Sequence, residues 1–110
     1  MELHEAVNTL SALAQDARLG IFRLLVEAGP AGLPVGRIGK VVKIPPATLS
    51  FHLAQLKHAG LVHAERRGRQ LINVADFARM NALVTYLTEN CCGGDPAACC
   101  PPPKRRKKSR

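Results

Sequence analysis

The sequence predicts a mainly helical protein with one small β-hairpin, which is an α+β fold. Residues 44–62, IPPATLSFHLAQLKHAGLV, place leucines at helical spacing directly after two prolines. A short apolar run follows, then the basic turn 66–69, then a second apolar run, and this succession is typical of a hairpin. Apolar residues at helical spacing also occur before and after this region. Together the patterns predict four helices, two strands and a fifth helix, in that order.

The fourth helix is expected to have one apolar face and one polar face. Pro45 and Pro46 mark its start, because a first-turn proline loses no needed N–H and already has a helical φ. Gly60 marks its end, since glycine takes the left-handed cap at low cost. Three residues form its apolar stripe: Leu49, Leu53 and Leu56. The residues between them are small, polar or flat and none is acidic, so we expect a face that a nucleic acid could accept.

The other elements are predicted from apolar spacing and from residues that favour helix ends. We expect helices over residues 2–15, 17–27, 35–42 and 77–90, and strands over residues 62–65 and 70–74. Asp16 is expected to cap or open the second helix, and Asp76 to cap the last, because aspartate is favoured at N-caps. The Gly-Pro-Ala-Gly run at residues 29–32 breaks the second helix.

The charge of the chain is unevenly distributed. Of its 16 Lys and Arg residues, six lie in the last seven positions, and without them the net charge of +8 falls to +2. Between residues 37 and 69 there are seven basic residues, opposed only by Glu65. Such a local excess is what a DNA-binding face needs, although charges alone would also fit a solvated basic surface.

A helix of this kind, preceded by a short helix and a turn and followed by a basic hairpin, is the pattern of a winged helix-turn-helix. Thr48 and Ser50 could donate to phosphates or base edges, and Gln55 could pair with adenine. Phe51 could meet a thymine methyl group, or it could pack within the protein. The predicted DNA-binding residues are Pro46, Ala47, Thr48, Ser50, Phe51, His52 and Gln55 on the helix, and Arg66, Arg67 and Arg69 on the hairpin.

The first and last helices have apolar stripes that the helix-turn-helix does not need. We expect a homodimer through these two helices, although both stripes could instead pack within one chain. A two-fold dimer places its recognition helices roughly 34 Å apart and so selects an inverted-repeat operator in double-stranded DNA. No apolar run approaches the roughly 20 residues of a membrane span, and the acidic N-terminus is unlike a signal peptide, so a cytoplasmic protein with no membrane partner is expected.

The motif Leu49-Ser50-x-His52-Leu53, with Ala-Gly-Leu-Val at residues 59–62 and an Arg-Gly-Arg turn, resembles the ArsR/SmtB family of metal- and metalloid-sensing repressors. The resemblance covers about residues 10–92. It implies a winged helix-turn-helix that dimerises through its first and last helices.

All four cysteines lie in the last twenty residues: Cys91, Cys92, Cys99 and Cys100. Their place outside the core argues against packing, and a reducing cytoplasm argues against structural disulfides. Adjacent thiols suit a soft ion, and Gly93-Gly94 lets the chain turn back toward the pair. Cys91, four residues past Leu87, is expected to continue the face of the last helix.

One branch of the family senses As(III) with a vicinal cysteine pair at the end of the last helix and a third cysteine further on. The resemblance therefore implies As(III) as the inducer, with Sb(III) as an alternative ion. Cys91, Cys92 and Cys99 match the pattern, and Cys100 is the alternative third ligand. The metal sites of other branches are missing, because residues 35–42 contain no cysteine and Asp76 is followed by Ala78 and Arg79.

Other functions for the cysteines remain open at this point. They could form a redox or sulfur-species sensor on the same DNA-binding protein, a thiol tail without specificity, or a four-cysteine zinc or iron–sulfur site. An enzyme is disfavoured, because no Cys-x-x-Cys lies on a βαβ pattern and no base accompanies the thiols. The predicted organisation is a DNA-binding and dimerisation domain at 1–90, a cysteine segment at 91–100 and a Pro-rich basic tail at 101–110.

Overall fold

The structure, a computed structural model, describes residues 1–95 and residue 97. Its helices are α1 (Leu3–Leu13), α2 (Asp16–Ala28), α3 (Val35–Val42), α4 (Pro46–His58) and α5 (Phe77–Thr88). Its strands are β1 (Leu33–Pro34), β2 (Val62–Arg67) and β3 (Gln70–Ala75). Two 3₁₀ turns cover Gly29–Ala31 and Cys91–Gly94. The mainly helical fold with a hairpin between the fourth and fifth helices is confirmed.

Two of the expected helix starts are present. Pro46 is the first residue of α4. Asp76 is the N-cap of α5, and its Oδ1 accepts a 2.8 Å hydrogen bond from the Arg79 N–H. At α2 the N-cap is Gln15, whose side chain accepts from the Arg18 N–H at 3.0 Å, and Asp16 opens the helix as its first residue, which is one of the two roles expected for it.

The sheet has a third strand that local pattern did not predict. Its order is β1-β3-β2 with both pairings antiparallel, and β1 contributes only Leu33 and Pro34. Two residues are too few to show the alternation that identifies a strand. The element order therefore has a short strand before α3, which places the start of the helix-turn-helix at the edge of the sheet.

The core lies between α2, α3, α4 and the base of the hairpin. Its fully buried side chains include Ile21, Leu25, Ile38, Leu49, Leu56 and Leu61. The apolar spacing of α2 would also place Leu19 in this core, but Leu19 is 44% exposed. Packing of α4 on this core fixes which of its side chains remain outside.

Helix α1 packs on the domain through small residues and its last residue, Leu13, and leaves three large apolar side chains exposed. Ala6, Thr9 and Ala12 are buried, and the Thr9 hydroxyl donates to the Glu5 carbonyl oxygen at 2.8 Å. The exposed apolar side chains of α1 and α5 are Leu3, Val7, Leu10, Val84 and Leu87. We call these five residues the outer apolar face. No helix among the described residues is long and apolar enough to cross a membrane.

Candidate nucleic-acid interface and cysteine pair

Helix α4 separates its side chains into a buried set and an exposed set. The buried set is Leu49, His52, Leu53 and Leu56, which recur at i, i+3, i+4 and i+7. The exposed set includes six of the predicted DNA-binding residues: Pro46, Ala47, Thr48, Ser50, Phe51 and Gln55. Phe51 is 57% exposed, so it does not make the core contact that was its alternative. The exposed set forms a surface that could enter a DNA groove.

His52 is the predicted DNA-binding residue that the structure places elsewhere. Its side chain is only 8% exposed, and its Nδ1 lies 3.4 Å from Nη1 of Arg18 on α2. The helical period accounts for this, because position 52 shares the inner face with Leu49 and Leu56. The placement of His52 on the DNA-facing side is thus corrected: His52 joins α4 to α2.

The hairpin β2–β3 projects as a wing with a two-residue turn. Arg67 pairs with Gln70, so Gly68 and Arg69 are the central turn residues. Gly68 has φ +63° whereas Arg69 does not have a positive φ, which is the pattern of a type II′ turn. The turn therefore requires glycine at its first position and presents Arg69 at the tip.

The three wing arginines differ in their surroundings. Arg66 and Arg69 are exposed, and neither side chain has a partner among the described residues. Arg67 instead donates to the carbonyl oxygens of Ala31 at 2.7 Å and Pro30 at 2.9 Å. It also donates to Glu65 Oε1 from Nη2 at 2.6 Å and from Nε at 3.2 Å. The side chain of Arg67, which was predicted to contact DNA, thus donates its hydrogen bonds to groups of the protein itself.

The side chains of β2 form a polar row that the sequence analysis did not identify. His63 Nε2 lies 3.0 Å from Glu65 Oε2, and His63 Nδ1 lies 3.9 Å from Asp76 Oδ2. The sequence could have indicated this row, because His63, Glu65 and Arg67 are alternate residues and such residues of a strand share one face.

The basic character of this side of the molecule is retained in the structure. All seven basic residues between positions 37 and 69 are exposed: Arg37, Lys40, Lys43, Lys57, Arg66, Arg67 and Arg69. The carboxylate of Glu65, the acidic residue of that range, accepts bonds from Arg67 and lies beside His63. Its negative charge is therefore compensated, and the surface presents an excess of cations.

The Glu65 ion pair predicts a pH dependence of stability. Hydrogen bonds from Arg67 and then from His63 lower the pKa of Glu65 from its ordinary value of 4.5. The folded protein thus binds this proton more weakly than the unfolded chain, so the stabilisation is present above pH 4.5 and is lost as the pH falls through the lowered value. We expect Glu65→Gln to lower the melting temperature near neutral pH and to have little effect in stronger acid. Melting curves over a pH series check this.

Glu89→Gln is the matched control for that series, because the Glu89 side chain has no partner among the described residues. A melting-temperature difference for Glu65→Gln that stayed constant down to about pH 3 would contradict the ion pair.

The two described cysteines lie beyond the end of α5. The helix ends at Thr88, and Asn90 and Cys92 have φ near +57° and +56°. The expectation that Cys91 continues the helical face is wrong, because the left-handed backbone at Asn90 turns the chain away from the helix. Cys91 and Cys92 are exposed and their Sγ atoms are 3.7 Å apart.

Cys99 and Cys100, the two residues predicted to supply a third thiol ligand, lie outside the described residues. Within residues 1–95 and 97, no group of three or more His, Cys, Asp or Glu side chains is arranged to hold a metal ion.

Solved structures of regulators share this architecture. An ArsR-like transcriptional regulator from Rhodococcus sp. RHA1 matches with TM-score 0.73 and 22% identity, over 86% of each chain. The NMR structure of the winged helix-turn-helix domain of Mb0332 from Mycobacterium bovis matches with TM-score 0.62 and 29% identity, over 86% of this chain and 87% of that one. That protein is described as homodimeric and as a possible ArsR-family transcriptional regulator.

The helix-turn-helix, the wing and the exposed basic surface define a winged helix-turn-helix DNA-binding protein. Residues 13–65 match the family described as helix-turn-helix domain. The HTH-type transcriptional regulator MJ1325 of Methanocaldococcus jannaschii is 39% identical over 69 residues, which are 62% of this chain and 75% of that protein. The chain belongs to the helix-turn-helix transcriptional regulators.

Proposed function

We propose that this regulator is a repressor that binds an inverted-repeat operator as a homodimer and leaves it when As(III) binds the C-terminal cysteines. The observation that carries the proposal is the pair of exposed thiols, 3.7 Å apart, just after α5. Helix α5 also carries part of the outer apolar face, so the thiols follow directly on the element through which two protomers would meet.

DNA binding rests on α4 and the wing. The exposed N-terminal half of α4 would lie in the major groove, where Ser50 and Thr48 are short donors and Phe51 is an apolar contact for a thymine methyl group. Arg66 and Arg69 would contact phosphates or the minor groove and contribute affinity more than sequence preference.

Dimerisation rests on the outer apolar face. Large apolar side chains on two neighbouring helices would be shielded from water by a second copy of the same face. Helices α1 and α5 are neighbours within one protomer, since Arg79 Nη1 lies 3.7 Å from Glu5 Oε2. An isologous contact through this face would set the distance between the two α4 helices.

The sulfur geometry suits a shared soft ion. Two thiolates that bind one Zn²⁺ at about 2.3 Å with a near-tetrahedral angle lie roughly 3.8 Å apart. The two sulfurs of a three-sulfur As(III) pyramid lie somewhat closer, so Cys91 and Cys92, 3.7 Å apart, would need only a small approach. Cys99 or Cys100 would supply the third sulfur that As(III) binding requires, and Sb(III) would be bound in the same way.

The ion would act by coupling the cysteine turn to the dimer contact. If the bound ion drew the segment after Cys92 against the end of α5, the relative orientation of the two protomers would change. The distance between their α4 helices would change with it. A typical coupling of about 1–3 kcal/mol changes operator affinity about 5- to 150-fold.

The test is fluorescence anisotropy of the reduced protein on its own promoter DNA, with and without arsenite. We expect arsenite to release the wild type, and Cys92→Ser to bind DNA with unchanged affinity but to stay bound in arsenite. Ser109→Ala in the basic tail is the control, and it should respond like the wild type. A Cys92→Ser protein that arsenite still released would exclude Cys92 as a ligand.

The same titration separates the alternative function. Exposed vicinal thiols also suit a redox or sulfur-species sensor. Release by peroxide or polysulfide, reversal by reductant and no response to arsenite would establish that sensor in place of the metalloid one.

A further inference from the structure

We infer that Arg67 is a positioning residue, which holds the wing in the orientation needed for DNA and does not itself contact a phosphate. The inference rests on the proposed docking of α4 and the wing. Arg67, its partner Glu65 and the carbonyl oxygens of Pro30 and Ala31 are called the wing clamp below.

The donors of Arg67 are almost fully used. A guanidinium has five N–H donors, and the bonds to Ala31, Pro30 and Glu65 use four of them. Arginine usually holds a phosphate through two parallel N–H bonds. A single remaining donor cannot do this, so a two-bond phosphate contact would require breaking the wing clamp.

The two carbonyl acceptors of the wing clamp belong to the 3₁₀ turn Gly29–Ala31. They lie 36 and 37 positions from Arg67 in the sequence. That turn leads through Gly32 and β1 directly into α3, the first helix of the helix-turn-helix. The wing clamp thus connects β2 of the hairpin to the segment that leads into α3 and α4.

Gly32 provides a second attachment at the same place. A Cβ atom there would lie 2.5 Å from the Asn73 carbonyl oxygen of β3, so this segment lies directly against the wing strand. With the clamp and the β1–β3 pairing, the position of the wing relative to α4 is fixed before DNA arrives. Pre-organisation of this kind saves the cost of ordering the group on binding.

The proposal distinguishes Arg67 from its neighbour Arg66. Each phosphate contact contributes about −0.9 to the slope of log affinity against log salt concentration. Arg66→Ala should therefore flatten the slope by about that amount for each wing that contacts DNA. Arg67→Ala removes the same charge one residue away, but should weaken binding about 2- to 12-fold while flattening the slope much less.

Lysine gives the sharper comparison. It keeps the charge but cannot donate to three separate acceptors in a planar fork. Arg67→Lys should therefore lose nearly as much affinity as Arg67→Ala, whereas Arg66→Lys, which keeps a cation at a phosphate contact, should lose much less affinity than Arg66→Ala. Amide exchange across the β1–β3 pairing in the DNA-free protein should accelerate severalfold in Arg67→Lys and stay unchanged in Arg66→Lys.

The experiment is a salt series of anisotropy titrations on promoter DNA for these four variants and for Arg69→Ala, with amide exchange on the free proteins. Wild-type binding by Arg67→Lys, together with a slope for Arg67→Ala as flat as that of Arg66→Ala, would overturn the positioning role and assign Arg67 a phosphate. Unchanged exchange in Arg67→Lys would overturn the wing clamp.

Failure of the docking itself has a different signature. Wild-type slopes for both Arg66→Ala and Arg69→Ala would show that the wing does not contact DNA. That result would remove the wing from the proposed function and overturn the effect of Arg67 on binding, even if amide exchange still showed the clamp.

Discussion

Gly32→Ala is expected to lower the free energy of unfolding by about 2–6 kcal/mol. Gly32 has φ +63° and ψ −171°, a backbone conformation that is essentially reserved for glycine and costs other residues about 1–3 kcal/mol. The new Cβ would also lie 2.5 Å from the Asn73 carbonyl oxygen and 2.7 Å from Ile72 Cγ2, and such overpacking adds about 1–3 kcal/mol. Urea unfolding followed by circular dichroism measures the loss.

Gly29→Ala separates these two causes. Gly29 has φ +73° and ψ −160°, close to the values at Gly32, but a Cβ there would meet nothing within 4 Å. Its substitution should therefore cost only the conformational part, about 1–3 kcal/mol. Equal losses at the two positions would mean that the connection does not approach β3 closely.

Val7→Glu is expected to convert the proposed homodimer to a monomer and to weaken operator binding by about 10²- to 10⁴-fold, because two linked half-site contacts become independent. Val7 is 51% exposed in the protomer and central to the α1 part of the outer apolar face. Because a two-fold contact presents each of its residues twice, the substitution would bury two like charges at the interface. Sedimentation velocity and operator titrations at the same protein concentration measure both effects.

Leu19→Glu is the matched control for the dimer. Leu19 is an exposed apolar residue of similar accessibility, but it lies on α2 outside the outer apolar face. It should leave the dimer and the operator affinity unchanged. Dissociation by Leu19→Glu but not by Val7→Glu would move the interface from α1 and α5 to α2.

Local sequence signals were sufficient for most helices and for the hairpin. Pro46 acts at the start of α4 through its fixed φ, and Asp76 acts at the start of α5 through a hydrogen bond to a residue three positions away, so both effects can be predicted without the fold. The buried leucines of α4 follow from one period on one helix. The same period places His52 on the buried face, but the sequence-based prediction placed it on the exposed face because histidine is a polar residue.

The contacts that were missed join residues far apart in the chain. Arg18 lies 34 positions from His52, and the carbonyl oxygens that engage Arg67 lie 36 and 37 positions from it. Strand β1 exists only because β3 lies beside it. At Cys91 the sequence predicted a thiol as a ligand at the end of the last helix. The position of that thiol is determined by Asn90, whose left-handed backbone is uncommon for a residue other than glycine.

The attachments of the wing also limit how a signal can travel. Pairing of β1 with β3, the close approach of Gly32 and the bonds of Arg67 join the hairpin to the start of α3 at three places. Wing and reading helix are therefore expected to move as one rigid body, with the Gly68–Arg69 tip as the part that tolerates insertion. An inducer at the far end of α5 would then act by rotating whole protomers against each other, and operators with altered half-site spacing should respond differently to it.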